Sequence, residues 1–294
     1  MRFLFIQAHA RIFHITTMCR VLQVSKAGYY AWRARPLAAR VQDDRRLRAR
    51  IRVIYEEAKG RYGSPRIYQE LRALGLACGK HRTARLMRVE GLRAKSARRF
   101  RVTTQSDHAH PTVPNVLARD FAVPEPIPAT AAAAPVWMAD ITYVPTGQGW
   151  LYLAVILERA SRRVVGWALR PHLGQELARS ALAMALQHHR PRGGIHHSDR
   201  GVQYASHAYR QQLEHAGFTL SMSRRGNCWD NAVVESFFAT LTKELLVDGM
   251  FLTREAARQA VFEFIEVWYN RRRRHSALGY RTPAEYAEVL LKAS

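Results

Sequence analysis

The sequence predicts an α/β protein: a mixed sheet flanked by helices and preceded by a strongly basic helical region. Three observations predict it. The second half reads as three strands followed by helix, strand, helix, strand, helix, an order that suits a mixed sheet better than a strictly alternating parallel one. The first half reads as short amphipathic helices separated by turns. The charge is uneven: of a formal +23 over 294 residues, positions 1–120 hold 26 basic and 8 acidic side chains, and positions 121–294 hold 20 and 15. A polyanion is the expected partner of the first half, because each neutralised phosphate releases condensed counterions. A merely soluble basic surface is the plainer alternative.

In chain order, Met18, Val21 and Leu22 share a helical face, and Ser25 is placed to cap a second helix through Tyr29, Tyr30 and Trp32. This unit has the size of a helix-turn-helix. A longer helix is expected over about 43–58, with Leu47, Ile51, Ile54 and Tyr55 at helical spacing. Ser64-Pro65 supply a cap and a first-position proline for the next, along which Ile67, Leu71 and Leu74 line one face until Gly75. A further helix over about 81–89 takes Leu86 and Val89 as core candidates and ends at Gly91. Lys80, Arg82, Arg85 and Arg88 suit either entry into the major groove of double-stranded DNA or contact with phosphates alone.

Prolines 124, 126, 128 and 135 and alanines 131–134 then mark a boundary. The expected division is a basic helical DNA-binding region at 1–101, a Pro/Ala-rich linker at 102–135, a sheet-bearing core at 136–250 and a C-terminal helical extension at 251–294. In the core, Val136–Val144 places Met138, Asp140 and Thr142 on one face and Trp137, Ala139, Ile141 and Tyr143 on the other. Strands over 150–157 and 164–169 follow, then a helix at 176–189, a strand at 194–197, a helix at 206–215, a strand at 218–222 and a helix at 231–246. A last long helix, about 254–269, would pack Ala257, Val261, Phe264 and Ile265; Thr282-Pro283-Ala284-Glu285 has the form of a capping box.

Composition narrows the function classes. Leu151–Leu157, seven uninterrupted apolar residues, falls far short of the roughly 18 that suggest a membrane span, and the apolar run after Arg2 is too short for a secretory signal. Cys19, Cys78 and Cys228 form an odd, widely spaced set without a metal-binding pair. A cytoplasmic, nucleoid-associated protein is expected.

Three acids stand out. Asp140 interrupts an apolar strand, where its charge must be paired, exposed at an opening or bound to a cation. Asp199 follows a short strand, and Glu235 sits on a helix among Val233, Val234, Phe237 and Phe238. Oxygen-rich sites suit Mg²⁺ or Mn²⁺, and two such ions about 3.5–4 Å apart can activate a nucleophile and stabilise a leaving oxygen at phosphorus. Spacing alone leaves open three unrelated, partly buried acids.

Longer phrases carry a resemblance: Ser25-Lys26-Ala27-Gly28-Tyr29-Tyr30-Ala31-Trp32, Tyr62-Gly63-Ser64-Pro65-Arg66-Ile67, Asp140-Ile141-Thr142-Tyr143, His197-Ser198-Asp199-Arg200-Gly201, Gly226-Asn227-Cys228-Trp229-Asp230-Asn231 and Tyr269-Asn270-Arg271-Arg272-Arg273-Arg274-His275. Over about residues 15–290 the chain resembles the integrase-core transposases of bacterial insertion sequences, in particular the second-reading-frame products of the insertion-sequence-three family. The resemblance implies a ribonuclease-H-like core in which Asp140, Asp199 and Glu235 are the catalytic, metal-holding Asp-Asp-Glu set, with the characteristic 35 residues between the last two. It implies Mg²⁺- or Mn²⁺-dependent cleavage at insertion-sequence ends, with two ions, and strand transfer by a DNA 3′-hydroxyl. Its implied partners are terminal inverted repeats, target DNA, other copies of the chain assembled on DNA, and an upstream-frame protein or fused segment. The alternatives are a nuclease without strand transfer, and a DNA-binding regulator or catalytically inactive transposase-derived protein.

Supporting roles stay open between chemistry and structure. Asn227, Asp230 and Asn231 suit fixing a loop and capping the Glu235 helix, or turn and capping bonds alone. His196, His197 and Ser198 suit positioning phosphate or Asp199; Trp229 and Tyr204 suit stacking on DNA ends or packing. Arg271, Arg272, Arg273 and Arg274 suit phosphate or a partner subunit, or a solvated helix end. The chain departs from the family's pattern at Glu158, commonly Asp. It departs again at Thr242, commonly Lys; Lys243, about 100° further round the helix, is then the expected DNA contact.

Overall fold

The structure, a computed structural model, describes residues 1–34, 38–95, 134–191, 193–223 and 231–293. The expected linker, apart from its last two residues, lies outside the described residues, as do Asn227, Trp229 and Asp230.

Three short helices come first: α1 (Arg2–His9), which sequence reasoning did not anticipate, α2 (Ile15–Val21) and α3 (Lys26–Ala34). They enclose a small core of Ile6, Met18, Cys19 and Tyr29. Ser25 caps α3 as expected, its Oγ accepting from Gly28 N–H at 2.9 Å. Val21 does not join this core; it is 72% exposed, and Cys19 takes the inward position.

Helices α4 (Ala39–Glu57), α5 (Ser64–Ala73) and α6 (Lys80–Val89) follow. Leu47, Ile51, Ile54, Ile67, Leu71 and Leu86 are buried as periodicity predicts, whereas Leu74 and Val89 are exposed and Met87 is buried instead. Gly63, not Ser64, is the N-cap of α5 and makes no side-chain capping bond. Pro65 still falls in the first turn, where its missing N–H breaks no helical hydrogen bond.

The sheet has five strands in the order β3-β2-β1-β4-β5: β1 (Val136–Thr146), β2 (Gly149–Glu158), β3 (Val164–Arg170), β4 (Gly194–Ser198) and β5 (Phe218–Met222). β1 pairs antiparallel with β2 and β2 with β3, while β1–β4 and β4–β5 are parallel. This is the predicted mixed sheet.

Alternation along β1 divides its side chains as the sequence implies. Trp137 and Ala139 pack with α7 (Gln175–His189) and α9 (His207–His215) through Leu177, Leu182, Tyr209 and Leu213. Met138 and Val144 join a second core containing Val234, Phe237 and Leu241 of α10 (Ala232–Glu244) and Val261 of α11 (Arg254–Phe262). That second core also takes in Ile54, Ile67, Leu71 and Leu86, so α4–α6 pack against the same apolar body as the sheet. On the other face α7 crosses β3 so closely that a Cβ on Gly166 would lie 2.3 Å from Ala181 O.

The C-terminal helix is not uniform. α11 is regular through Phe262, then the backbone widens into a π-helical stretch over Glu263–Tyr269, an irregularity that propensity does not forecast. Just beyond it, the Asn270 side chain accepts from Val164 N–H and donates to Val164 O, each at 3.0 Å, pairing with the outer strand β3. The predicted capping box opens α12 (Pro283–Ala293): Glu285 Oε2 accepts from Thr282 N–H at 2.8 Å, and Thr282 Oγ1 from Glu285 N–H at 3.2 Å.

Candidate active site

Strand register brings the two aspartates together. In the parallel β1–β4 ladder Met138 faces His197 and Ala139 faces Ser198. Continuing one step sets Asp140 abreast of Asp199, just past the end of β4. A two-residue period puts Asp140 on the same face as Met138, the face against which α10 packs.

Local bonds fix both carboxylates. Asp140 Oδ1 accepts from Ile141 N–H at 2.8 Å, and Asp199 Oδ1 from Gly201 N–H at 2.9 Å. A Cβ on Gly201 would lie only 2.9 Å from Asp199 Oδ1, so the tight turn after Asp199 has no room for a side chain. The residue just after β5 steadies this turn: Arg200 Nε donates to Ser223 O, and Ser223 N–H donates to Ser198 O, both at 2.9 Å.

Glu235 projects from the first turn of α10, where a negative charge is favoured by the helix dipole. Val234 and Phe237 bury the inner face of that helix, and Glu235 itself is exposed. Asn231 occupies the N-cap position, but its side chain does not cap α10 as expected. Its Nδ2 donates instead to Ala139 O at 3.2 Å, fastening the start of the Glu235 helix to the residue preceding Asp140.

The electrostatics record this proximity. The Asp140 carboxyl is pushed up to about 8, first by burial, next by the charge of Asp199, and more weakly by Glu235; the Ile141 N–H opposes the rise. Glu235, though exposed, is also raised, by partial desolvation. The donors are all carboxylate oxygens, and their mutual repulsion is of the kind a divalent cation relieves, so the residues fit Mg²⁺ or Mn²⁺. Among the described residues no three His, Cys, Asp or Glu side chains are already drawn to ligand spacing. Two polar atoms in this neighbourhood, Asn231 Oδ1 and the Tyr204 hydroxyl, are buried without a hydrogen-bond partner.

The neighbouring histidines are structural. His197 is fully buried and uses Nδ1 with Ser221 Oγ at 2.9 Å and Nε2 with Ser223 Oγ at 3.1 Å. His196 points to the other side, bonding Tyr209 OH at 2.8 Å, and burial lowers its imidazole to about 3. Ser198 Oγ donates to Asp199 O at 2.9 Å. These bonds hold β4 and β5, and no imidazole is presented to phosphate.

The basic residues divide between exposed and engaged. Lys80, Arg88, Lys243, Arg271 and Arg272 are exposed. Arg82 pairs with Asp43 and Asp44, and Arg85 with Asp44, tying α6 to α4. Arg273 corrects the sequence expectation: it is buried against Glu244, which also accepts from Trp268 Nε1 at 2.9 Å. Arg274 is likewise held by Glu70, with Nε–Oε1 at 2.7 Å.

Sequence reasoning missed the residues that dock α4–α6 onto this end of the chain. Arg61 Nε donates to Glu244 O at 3.2 Å, with its guanidinium 4.9 Å from the centre of the Trp268 ring. The Tyr62 hydroxyl donates to Arg272 O at 3.0 Å and accepts from Arg274 N–H at 2.9 Å. An acid among aliphatic neighbours, the signal that exposed Asp140, was also present at Glu244.

Comparison with known proteins agrees in kind. Residues 131–228 and 216–283 match two families each described as an integrase core domain, and residues 42–100 match an HTH-like domain. The chain is 44% identical over 272 residues to the "Insertion element IS600 uncharacterized 31 kDa protein" of Shigella sonnei, covering 92% of this chain and 97% of that protein. It is 40% identical over 289 residues to "Transposase InsF for insertion sequence IS3A" of Escherichia coli strain K12, covering 97% and 98%. Among solved structures, the catalytic core domain of BIV integrase aligns with a TM-score of 0.40 at 21% identity, over 53% of this chain and 96% of that one.

Proposed function

The chain belongs to the insertion-sequence transposases typified by the IS3 InsF proteins, and from that premise we propose that it cleaves insertion-sequence ends and joins them to target DNA in a divalent-metal-dependent reaction. The observation that carries the reading is the parallel β1–β4 register, which ends with Ala139 opposite Ser198 and so sets Asp140 and Asp199 at neighbouring positions, on a sheet whose Met138 face is packed by the helix bearing Glu235.

Asp140, Asp199 and Glu235 would hold the cations. Bound there, Mg²⁺ or Mn²⁺ supplies charge neutralisation at the scissile phosphate and a more acidic attacking hydroxyl. In the first step water attacks the phosphorus that joins the insertion-sequence 3′ end to flanking DNA; the bond from that phosphorus to the insertion-sequence O3′ breaks, leaving a 3′-hydroxyl on the insertion-sequence end and a 5′-phosphate on the flanking strand. In the second, that hydroxyl attacks a target phosphodiester, forming one P–O bond as another breaks. No protein atom becomes covalently attached. Asn231 holds the Glu235 helix to β1, and the Gly201 turn aims Asp199.

The HTH-like region and the exposed Lys80, Arg88, Lys243, Arg271 and Arg272 would bind the inverted repeats and target DNA, in an assembly of several copies and with an upstream-frame segment. Labelled ends incubated with Mg²⁺ or Mn²⁺ should yield cut and joined strands, and Asp140→Ala, Asp199→Ala and Glu235→Ala should each abolish both. Undiminished activity in the three variants refutes the assignment. Cut ends without joining would make the protein a nuclease; DNA binding without cleavage, even with the upstream segment supplied, would make it a regulator.

A further inference from the structure

The sequence offers Tyr204 and Trp229 as rings to stack on DNA or to pack. Trp229 lies outside the described residues. Tyr204, in the short helix α8 (Val202–Ala205), is only 3% exposed, with its ring edge-on to Tyr209 at 5.5 Å between centroids. Packing is its role, and a cluster of rings that does face solvent lies elsewhere on the sheet.

The core under α7 and α9 reaches Ile141, Ala154 and Ala168, which are Cα partners across β1, β2 and β3. The next row on that face is Tyr143, Tyr152 and Arg170. Trp150, two residues before Tyr152, stands beside the row on the same face. Tyr143 is 52% exposed and Trp150 53% exposed; Tyr152 is half-buried and Arg170 exposed. The Tyr143 ring lies edge-on to Trp150 at 6.0 Å and to Tyr152 at 5.2 Å between centroids. Arg170 Nη2 donates to Ser180 Oγ on α7 at 3.0 Å, which holds the guanidinium at the border of the row. Cross-strand packing uses the edges of these rings and leaves the rest of Tyr143 and Trp150 in water.

The row adjoins the carboxylates along β1 without sharing their face. Asp140 is on the α10 side; Tyr143, three residues on and roughly 10 Å along the strand, is on the other. The β4 ladder ends at Ala139, and away from β2 the next pairing of β1 among the described residues is the single bridge of Thr146 to Phe251. Residues 140–145 therefore form an open stretch of sheet edge, round which a nucleic-acid strand can pass from one face to the other. The chemistry of the row selects its occupant. Two phenols, an indole and a guanidinium, with no acid among them, are the groups on which nucleobases stack, as on other aromatic sheet surfaces. A second copy of a chain with a formal charge of +23 is opposed by like charge.

We propose that Tyr143, Trp150 and Tyr152 form a platform on which unpaired bases of a DNA strand stack, with Arg170 contacting the phosphates of that strand. Bases inside a duplex already stack on one another, so the platform takes only unpaired ones. The proposal rests on the transposase reading and deepens it: the platform holds a strand led past the open edge, while the carboxylates act on the opposite face.

The test is equilibrium binding of the full chain to a fluorescein-labelled oligothymidylate and to a labelled duplex, with the Tm and the DNA-free light scattering of each variant. Trp150→Ala and Tyr143→Ala should each weaken single-strand binding at least about fivefold and leave duplex binding within about twofold. Arg170→Ala should reduce the log–log salt slope for the single strand by roughly 0.7. Trp150→Phe keeps a ring, so it should bind nearly as wild type while losing part of the tryptophan quenching that oligothymidylate produces. Unchanged single-strand affinity in both alanine variants, or undiminished quenching in Trp150→Phe, overturns the platform and leaves the transposase reading standing, provided that the duplex is bound. A wild type that binds neither DNA overturns both. If Trp150→Ala instead splits a dimer of the DNA-free chain, the row is a contact between copies and the platform is overturned.

Discussion

Asp140 is the residue on which the chemistry and the stability of the resting site conflict. Its carboxyl, ordinarily near 3.8, is raised to about 8 in the folded chain, so between these values the folded state holds more protons than the unfolded one. Metal-free stability must then fall as pH rises from about 4 towards about 8. Asp140→Asn should flatten that decline and raise the metal-free Tm at pH 8, while end cleavage drops by at least about a hundredfold; an unchanged pH–Tm profile would count against the buried-pair geometry. Gly201→Ala tests the turn: its methyl would meet Asp199 Oδ1 at 2.9 Å, and activity should fall far more than the roughly 1–3 kcal/mol of stability that overpacking costs. Asp140 and Asp199 were legible in the sequence because an acid in an apolar strand and one at a strand end are locally anomalous. Arg273 was not, because its partner Glu244 lies 29 positions away and a run of four arginines reads as solvated whatever faces it.

At the scale of elements, α10 is secured at both ends. Asn231 ties its start to β1, and Glu244 ties its end to Arg273, Trp268 and Arg61. Breaking a buried ion pair from one side leaves a stranded charge, so Arg273→Ala should destabilise the chain by about 3–5 kcal/mol in denaturant unfolding. Arg271→Ala and Arg272→Ala, at exposed positions, should leave stability within about 0.5 kcal/mol and weaken DNA binding; the reverse pattern would contradict this division. Strands and long helices were readable because alternation and the 3.6 period are properties of the segment itself. Which helical face turns inward is not: Val21, Leu74 and Val89 fit their apolar stripes and are nonetheless exposed, since the facing element decides. The π-helical stretch escaped for a related reason, its widened turn being visible only where Asn270 meets β3.

For the whole molecule, the excess of positive charge in the first 120 residues should dominate DNA affinity. Contact with six or more phosphates predicts a loss of about 10³-fold or more between 50 and 200 mM salt, and a nearly flat dependence would rule out a phosphate-led interface. Because α4–α6 share an apolar core with the sheet, truncation before β1 should uncover Trp268 and Phe264, against which Tyr62 and Arg61 pack, and cost solubility, measurable as aggregation of the shortened chain. Sequence reasoning gave the order of helical region and sheet, but not this shared core, because the partners are separated by more than a hundred residues. The two outer strands of the sheet are also unlike. Where a border strand usually offers unpaired N–H and C=O groups to any extended peptide, Val164 on β3 has both of its groups taken by a single side-chain amide. One asparagine thus does the work of a neighbouring strand at that point, and a second sheet cannot be spliced on there.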